Sequence, residues 1–176
     1  MTDNSLKFKI GIGLIPGIGT INAKRLIAYA GSVEAVFKEK KATLSKIPGI
    51  GEYTAKKIVN QDILQKAEEE IAFIEKYNIT PVFYLDKNYP ERLKHCEDGP
   101  LMIFVKGTVD FNTQKTLSIV GTRNATDYGR AICEQLVKDL AKKKHEALII
   151  SGLAYGVDIC AHKAALDNGL KTVAVL

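Results

Sequence analysis

The segment Ile15-Pro16-Gly17-Ile18-Gly19 returns, residue for residue, as Ile47-Pro48-Gly49-Ile50-Gly51, and the echo runs on from Ala23-Lys24-Arg25-Leu26-Ile27 to Ala55-Lys56-Lys57-Ile58-Val59. A Pro-Gly pair between isoleucines dictates a tight turn, and the apolar positions after it recur at helical spacing. Each copy is thus a glycine hairpin opening into a helix. One such copy is too small to bury its own apolar face, whereas two related copies packed together make a compact all-α unit. A helical link over 33–40 joins them, and a helix over 63–77, with Leu64, Ala67, Ile71 and Ile74 on one face, leads out. Residues 1–77 are expected to form this small helical domain.

From residue 78 the pattern changes to short β-rich runs at 80–84, 101–105, 116–120, 147–150 and 172–176. The last three are almost continuously apolar, as strands covered on both faces are. Between them lie two helical patterns, Cys133, Leu136, Val137, Leu140 and then Val157, Ala161, Ala164, Ala165. Strand, helix, strand, helix, strand predicts a parallel, right-handed α/β sheet of Rossmann-like type in a second domain, 78–176. The last apolar run reaches Leu176 with no helix behind it, so the sheet is expected to be incomplete at the C-terminus, as in a fragment.

Composition excludes several classes. With 46% hydrophobic and 26% charged residues the chain is neither disordered nor fibrous. It has no apolar run of about 18 residues and no basic-then-apolar start, so no membrane partner is expected and the location should be cytoplasmic. Cys96, Cys133 and Cys160 have neither zinc-site nor disulfide-framework spacing, so all three read as small buried apolar residues and no metal is expected. A net charge of +5 permits a nucleic-acid partner without requiring one.

Three segments carry candidate chemistry. In the hairpins, Gly17, Gly19, Gly49 and Gly51 let backbone N–H groups face outward at a helix start, with Lys24 and Lys56 just behind, a place to hold phosphate. These copies resemble the helix-hairpin-helix (SAM-like) motif, which grips duplex backbone without reading sequence. The alternative is that Pro and Gly merely cap helices over an isoleucine core. The second segment follows the strand at 116–120: Gly121 removes a side chain at the strand end, Thr122 and the next amides can donate to phosphate, and Arg123 can clamp it. Thr126 or Asp127 would cap the helix that follows. The third is Ser151-Gly152-Leu153-Ala154-Tyr155-Gly156-Val157-Asp158, again a strand end, glycines and a helix start. Tyr128 and Tyr155 stand where they can stack on unpaired bases or pack on the sheet rim. Asp158 and His162, four apart on one helix, suit orientation better than catalysis, since Cys160 points away and no nucleophile adjoins them. Neither turn is a GxGxxG fingerprint, so no nicotinamide or flavin cofactor is expected. Lys142-Lys143-Lys144 is explained by the negative end of its helix.

On these residues the chain resembles the DprA/Smf family of DNA-processing proteins of bacterial natural transformation. The matching segments are Asn88-Tyr89-Pro90 with Leu93, Gly99-Pro100-Leu101 to Val105-Lys106-Gly107, Ile119-Val120-Gly121-Thr122-Arg123 with Tyr128-Gly129, Ser151 to Asp158 with Ala161-His162, and Gly169 to Leu176. The resemblance implies an extended Rossmann-like domain that binds single-stranded DNA, protects it and assists loading of the recombinase RecA, without a catalytic step or cofactor. Gly121, Thr122 and Arg123 match the family's Gly-Ser/Thr-Arg loop in the DNA pocket, and Gly152, Gly156 and Asp158 match its second glycine-rich turn. The segments that would carry the family's homodimer surface, its RecA-facing surface and the rest of its pocket would follow Leu176. Two other readings stay open: a LOG-type nucleotide phosphoribohydrolase on a similar sheet, and a duplex-binding helical unit with the sheet as a partner-docking scaffold.

Overall fold

Each Pro-Gly pair closes a β-turn in the computed structural model, which describes residues 5–59 and 62–176. Ile18 N–H donates to Ile15 O (3.1 Å) and Ile50 N–H to Ile47 O (2.9 Å). Gly17 and Gly49, at φ 83° and 88°, occupy the third turn position, where a type II turn needs a residue without a Cβ. Helices α2 (Thr20–Ala30) and α5 (Glu52–Val59) then begin alike, Ala23 N–H on Gly19 O and Ala55 N–H on Gly51 O. Between them lie α3 (Val33–Lys38), capped by the Ser32 hydroxyl, and the single turn α4 (Lys41–Leu44). Ile15, Leu26, Val36, Leu44, Ile47, Ile50 and Ile58 form the shared core.

The two copies are not equivalent. A Cβ on Gly49 would come within 2.7 Å of Asn22 Oδ1, whereas one on Gly17 meets nothing within 4 Å. Gly17→Ala is therefore expected to cost about 1 kcal/mol, the left-handed penalty alone. Gly49→Ala should cost more, because Asn22 must also move; urea denaturation of the two variants measures the difference.

Helix α1 (Leu6–Leu14) was not marked by the sequence pattern, because Gly11 and Gly13 lower its helix propensity. Gly11 is there for packing: a Cβ would press on Leu64 at 3.2 Å and Phe37 at 3.4 Å, so the glycine lets α6 (Asp62–Lys76) lie close. Strands β1 (Thr80–Phe83) and β2 (Met102–Val105) pair antiparallel, Thr80 opposite Val105, and α7 (Glu91–Lys94) lies in the connection between them. Phe83 and Leu101 join the core of the helices, so this hairpin belongs to the first of two compact units, Met1–Thr108 and Val109–Leu176.

The second unit runs β3 (Thr116–Ser118), α8 (Asp127–Lys142), β4 (Leu148–Ser151), α9 (Val157–Asp167) and β5 (Thr172–Ala174). The strands are parallel in the order β3-β4-β5, which is the expected α/β alternation. Cys133 and Val137 of α8 meet Cys160, Ala161, Ala164 and Ala165 of α9 over Ile149. Burial pushes the Cys133 thiol up and the Cys160 thiol up to about 11, so both stay protonated at neutral pH. The expectation of three buried cysteines is corrected at Cys96, which is exposed just past the one-turn helix α7.

Candidate nucleic-acid interface

Strands β3 and β4 end side by side, and their following turns are drawn together. Ser151 Oγ donates to Ile119 O (2.6 Å), bridging the strand ends, and Val157 N–H donates to Thr122 O (3.2 Å), joining the second turn to the first. Glycines make this approach possible. A Cβ on Gly121 would lie 2.6 Å from Val157 Cγ2, and one on Gly152 would lie 2.6 Å from Asp158 Oδ2. One on Gly156 would strike the carbonyl oxygens of Thr122 and Arg123. Gly121, Thr122, Arg123, Gly152, Tyr155 and Gly156 therefore converge at one sheet edge, the carboxyl ends of the strands, where open α/β sheets bind ligands.

Segments 119–126 and 152–157 carry one cation, Arg123, which is exposed and makes no hydrogen bond or ion pair among the described residues. With Leu153, Ala154, Tyr155, Val175 and Leu176 it lines an open depression of about 310 Å³. Tyr155 is 85% exposed and Tyr128 77%, so neither is packed against the rim. Thr126 caps α8 by accepting from Gly129 N–H (3.1 Å), while the Asn124 amide is spent on Thr122 Oγ1 (3.1 Å). Helix α9 starts at Gly156 without a side-chain cap.

Beneath the second turn, Asp158 and His162 are buried. They bond to the turn rather than to each other. His162 Nε2 lies 2.7 Å from Gly152 O, which can only accept, so Nε2 carries a proton; Nδ1 lies 2.6 Å from Thr172 Oγ1. Asp158 Oδ2 accepts from Ala154 N–H (3.4 Å), and its Oδ1 is buried without a partner. The contributions of Thr172 and Ser151 were missed from the sequence, where nothing in a strand's linear pattern says which hydroxyl will meet a neighbouring turn.

The hairpin candidates lie in the first unit. Gly17, Gly19 and Gly51 face open space, and Lys56 is exposed. Lys24 is otherwise engaged: its Nζ donates to Glu97 O (3.1 Å) and sits 5.6 Å from the Tyr84 ring centre. Lys57 lies 4.2 Å over the exposed ring of Tyr53. Among the described residues no cluster of three or more His, Cys, Asp or Glu could hold a metal ion, and no helix is long and apolar enough to cross a membrane.

Known proteins share both parts of the chain. The sequence model of DNA recombination-mediator protein A matches residues 80–176, and that of a SAM-like helix-hairpin-helix tandem matches residues 13–61. The chain is 39% identical over 92 residues to the DNA processing protein DprA of Streptococcus pneumoniae (strain ATCC BAA-255 / R6), covering 52% of this chain and 32% of that protein. Protein Smf of Synechocystis sp. is 26% identical over 183 aligned positions, covering 100% of this chain and 45% of the relative. The X-ray structure of DprA from Streptococcus pneumoniae matches at a TM-score of 0.64 and 26% identity, covering 96% of this chain and 55% of that one. The chain thus spans between about a third and just over half of these relatives.

Proposed function

The chain belongs to the family of DNA recombination-mediator protein A, and from that premise we propose that it holds single-stranded DNA across the paired turns, Arg123 clamping a phosphate and Tyr155 stacking on an unpaired base. The observation that carries this reading is the lock between the turns, Val157 N–H on Thr122 O, which leaves Arg123 without an internal partner beside an exposed aromatic ring. Binding rather than catalysis suits the neighbouring side chains. Both nitrogens of His162 are engaged, Asp158 is buried, and the Cys160 thiol faces α8 and is held protonated. For the full-length protein the reading extends to protecting incoming DNA in transformation and assisting RecA as a homodimer, the role that the family resemblance implies.

The test is a salt titration of the 176-residue chain with a labelled single strand and with duplex. Affinity should favour the single strand and fall with salt. Arg123→Ala should weaken single-strand binding by about 1–3 kcal/mol, the scale of a charge-assisted bond to phosphate, with the fold intact. An Arg123→Ala chain of unchanged affinity and salt slope would remove the rim reading. Duplex preference would favour the helical unit instead, where three open hairpin glycines and exposed Lys56 support contact with a phosphate backbone.

A further inference from the structure

A parallel sheet has two ends, and the turns described above occupy one of them. The other, at the amino ends of the strands, collects lysines from distant parts of the chain. Lys115 immediately precedes β3, Lys171 immediately precedes β5, and Lys142, Lys143 and Lys144 end α8 on the way into β4. Backbone bonds bring them together: Leu148 N–H donates to Lys115 O (2.9 Å) and Ile149 N–H to Lys171 O (3.0 Å), so both lysines flank the start of β4. Lys144, at φ 53°, turns the chain sharply there, its N–H on Ala141 O (2.9 Å), and Lys115 Nζ lies 3.2 Å from His145 Nδ1.

All five lysines are exposed, and none forms an ion pair with an acid among the described residues. The acids nearest in sequence are Glu146 and Asp167, both exposed, Asp139, which accepts from Gln135 Nε2, and Asp110, exposed, which accepts from Asn112 N–H. The helix dipole accounts for Lys142 in the last turn of α8. It does not account for Lys115, which leads into a strand.

We propose that this lysine end is a second nucleic-acid surface, holding the phosphodiester backbone at the opposite end of the sheet from Arg123. The chemistry favours that partner. Five flexible ammonium groups act as point charges, which suits a regularly spaced polyanion and reads no base. The inference shares with the rim reading the idea of a nucleic-acid ligand, but it uses none of the same residues. It also adds what the rim lacks, since one arginine can neutralise about one phosphate and supports only a shallow salt dependence.

The experiment replaces Lys115, Lys142, Lys143, Lys144 and Lys171 by Gln in the 176-residue chain, with circular dichroism to verify the fold. Binding of a short labelled oligothymidylate, just long enough for the rim, and of one several times longer is then followed against salt. The variant should bind the long strand on the order of 10- to 100-fold more weakly at low salt. Its salt slope should be shallower by about 2 to 3.5, at roughly 0.7 per single-strand phosphate released. The short strand should be much less affected. Unchanged affinity and slope on the long strand would overturn the inference. So would a variant that keeps DNA binding while losing a polyglutamate peptide, since the surface would then serve an acidic protein. If Arg123→Ala is silent and the lysine variant defective, the rim reading fails and this one stands. The reverse outcome removes the lysine surface alone.

Discussion

Gly156→Ala should cost the second unit about 2–6 kcal/mol and abolish single-strand binding with it. Gly156 sits at φ 91° and ψ −125°, a region essentially closed to residues with a side chain, and strain of that kind costs about 1–3 kcal/mol. The added Cβ also has nowhere to go. It would strike the carbonyls of Thr122 and Arg123, which are backbone and cannot swing aside as a side chain would. Relief requires breaking the Val157 to Thr122 bond and parting the turns, an overpacking cost of a further 1–3 kcal/mol or so. Gly129→Ala is the natural control. Gly129 lies inside α8, and its Cβ would make ordinary contact with Thr126 Oγ1 at 3.4 Å, so helix propensity favours the alanine. Urea denaturation followed by circular dichroism compares the two; a Gly156→Ala chain as stable as Gly129→Ala would mean that the turns do not press together as described.

His162→Leu should destabilise the same unit by about 1–3 kcal/mol. The leucine fills similar space but leaves Gly152 O without its donor in a half-buried place, at about 1–3 kcal/mol for one unsatisfied group, while Thr172 Oγ1 keeps its bond to Ile149 O (3.0 Å). His162→Gln, which keeps an amide donor in reach of Gly152 O, should recover part of the loss. Equal denaturation midpoints for the parent and the leucine variant would show that the histidine does not hold the turn. The two substitutions probe different supports: Gly156 fixes how closely the turns meet, whereas His162 ties the second turn to β5 from below.

Much of the architecture was legible in the sequence because it rests on local signals. The repeated Pro-Gly turns announce themselves through φ requirements that few residues meet, and the last three strands through apolar runs flanked by glycine. Convergence of the two glycine turns followed from chain order, since successive parallel strands end on the same side. What escaped was decided by distant partners. Gly11 looks like a helix breaker until α6 is placed against it. Strands β1 and β2 look like the start of the sheet that follows, yet Phe83 and Leu101 pack among helices 40 or more positions earlier, such as Leu26 and Val36. Lys142, Lys143 and Lys144 were explained by their helix alone because Lys115 and Lys171 approach them only through strand pairing. A cysteine is usually a core residue, but Cys96 falls in the exposed loop just past the one-turn helix α7, where no packed face covers it.

The seating of the β1–β2 hairpin bears on how the protein can be taken apart. A polypeptide cut at residue 77, where the helices end and the strand-rich sequence begins, would leave the places of Phe83 and Leu101 empty, and the isoleucine-rich interior beneath would be wetted. Such a fragment would carry a sticky scar and clump in solution, whereas a cut after Thr108 leaves the helices with the lid that seals them.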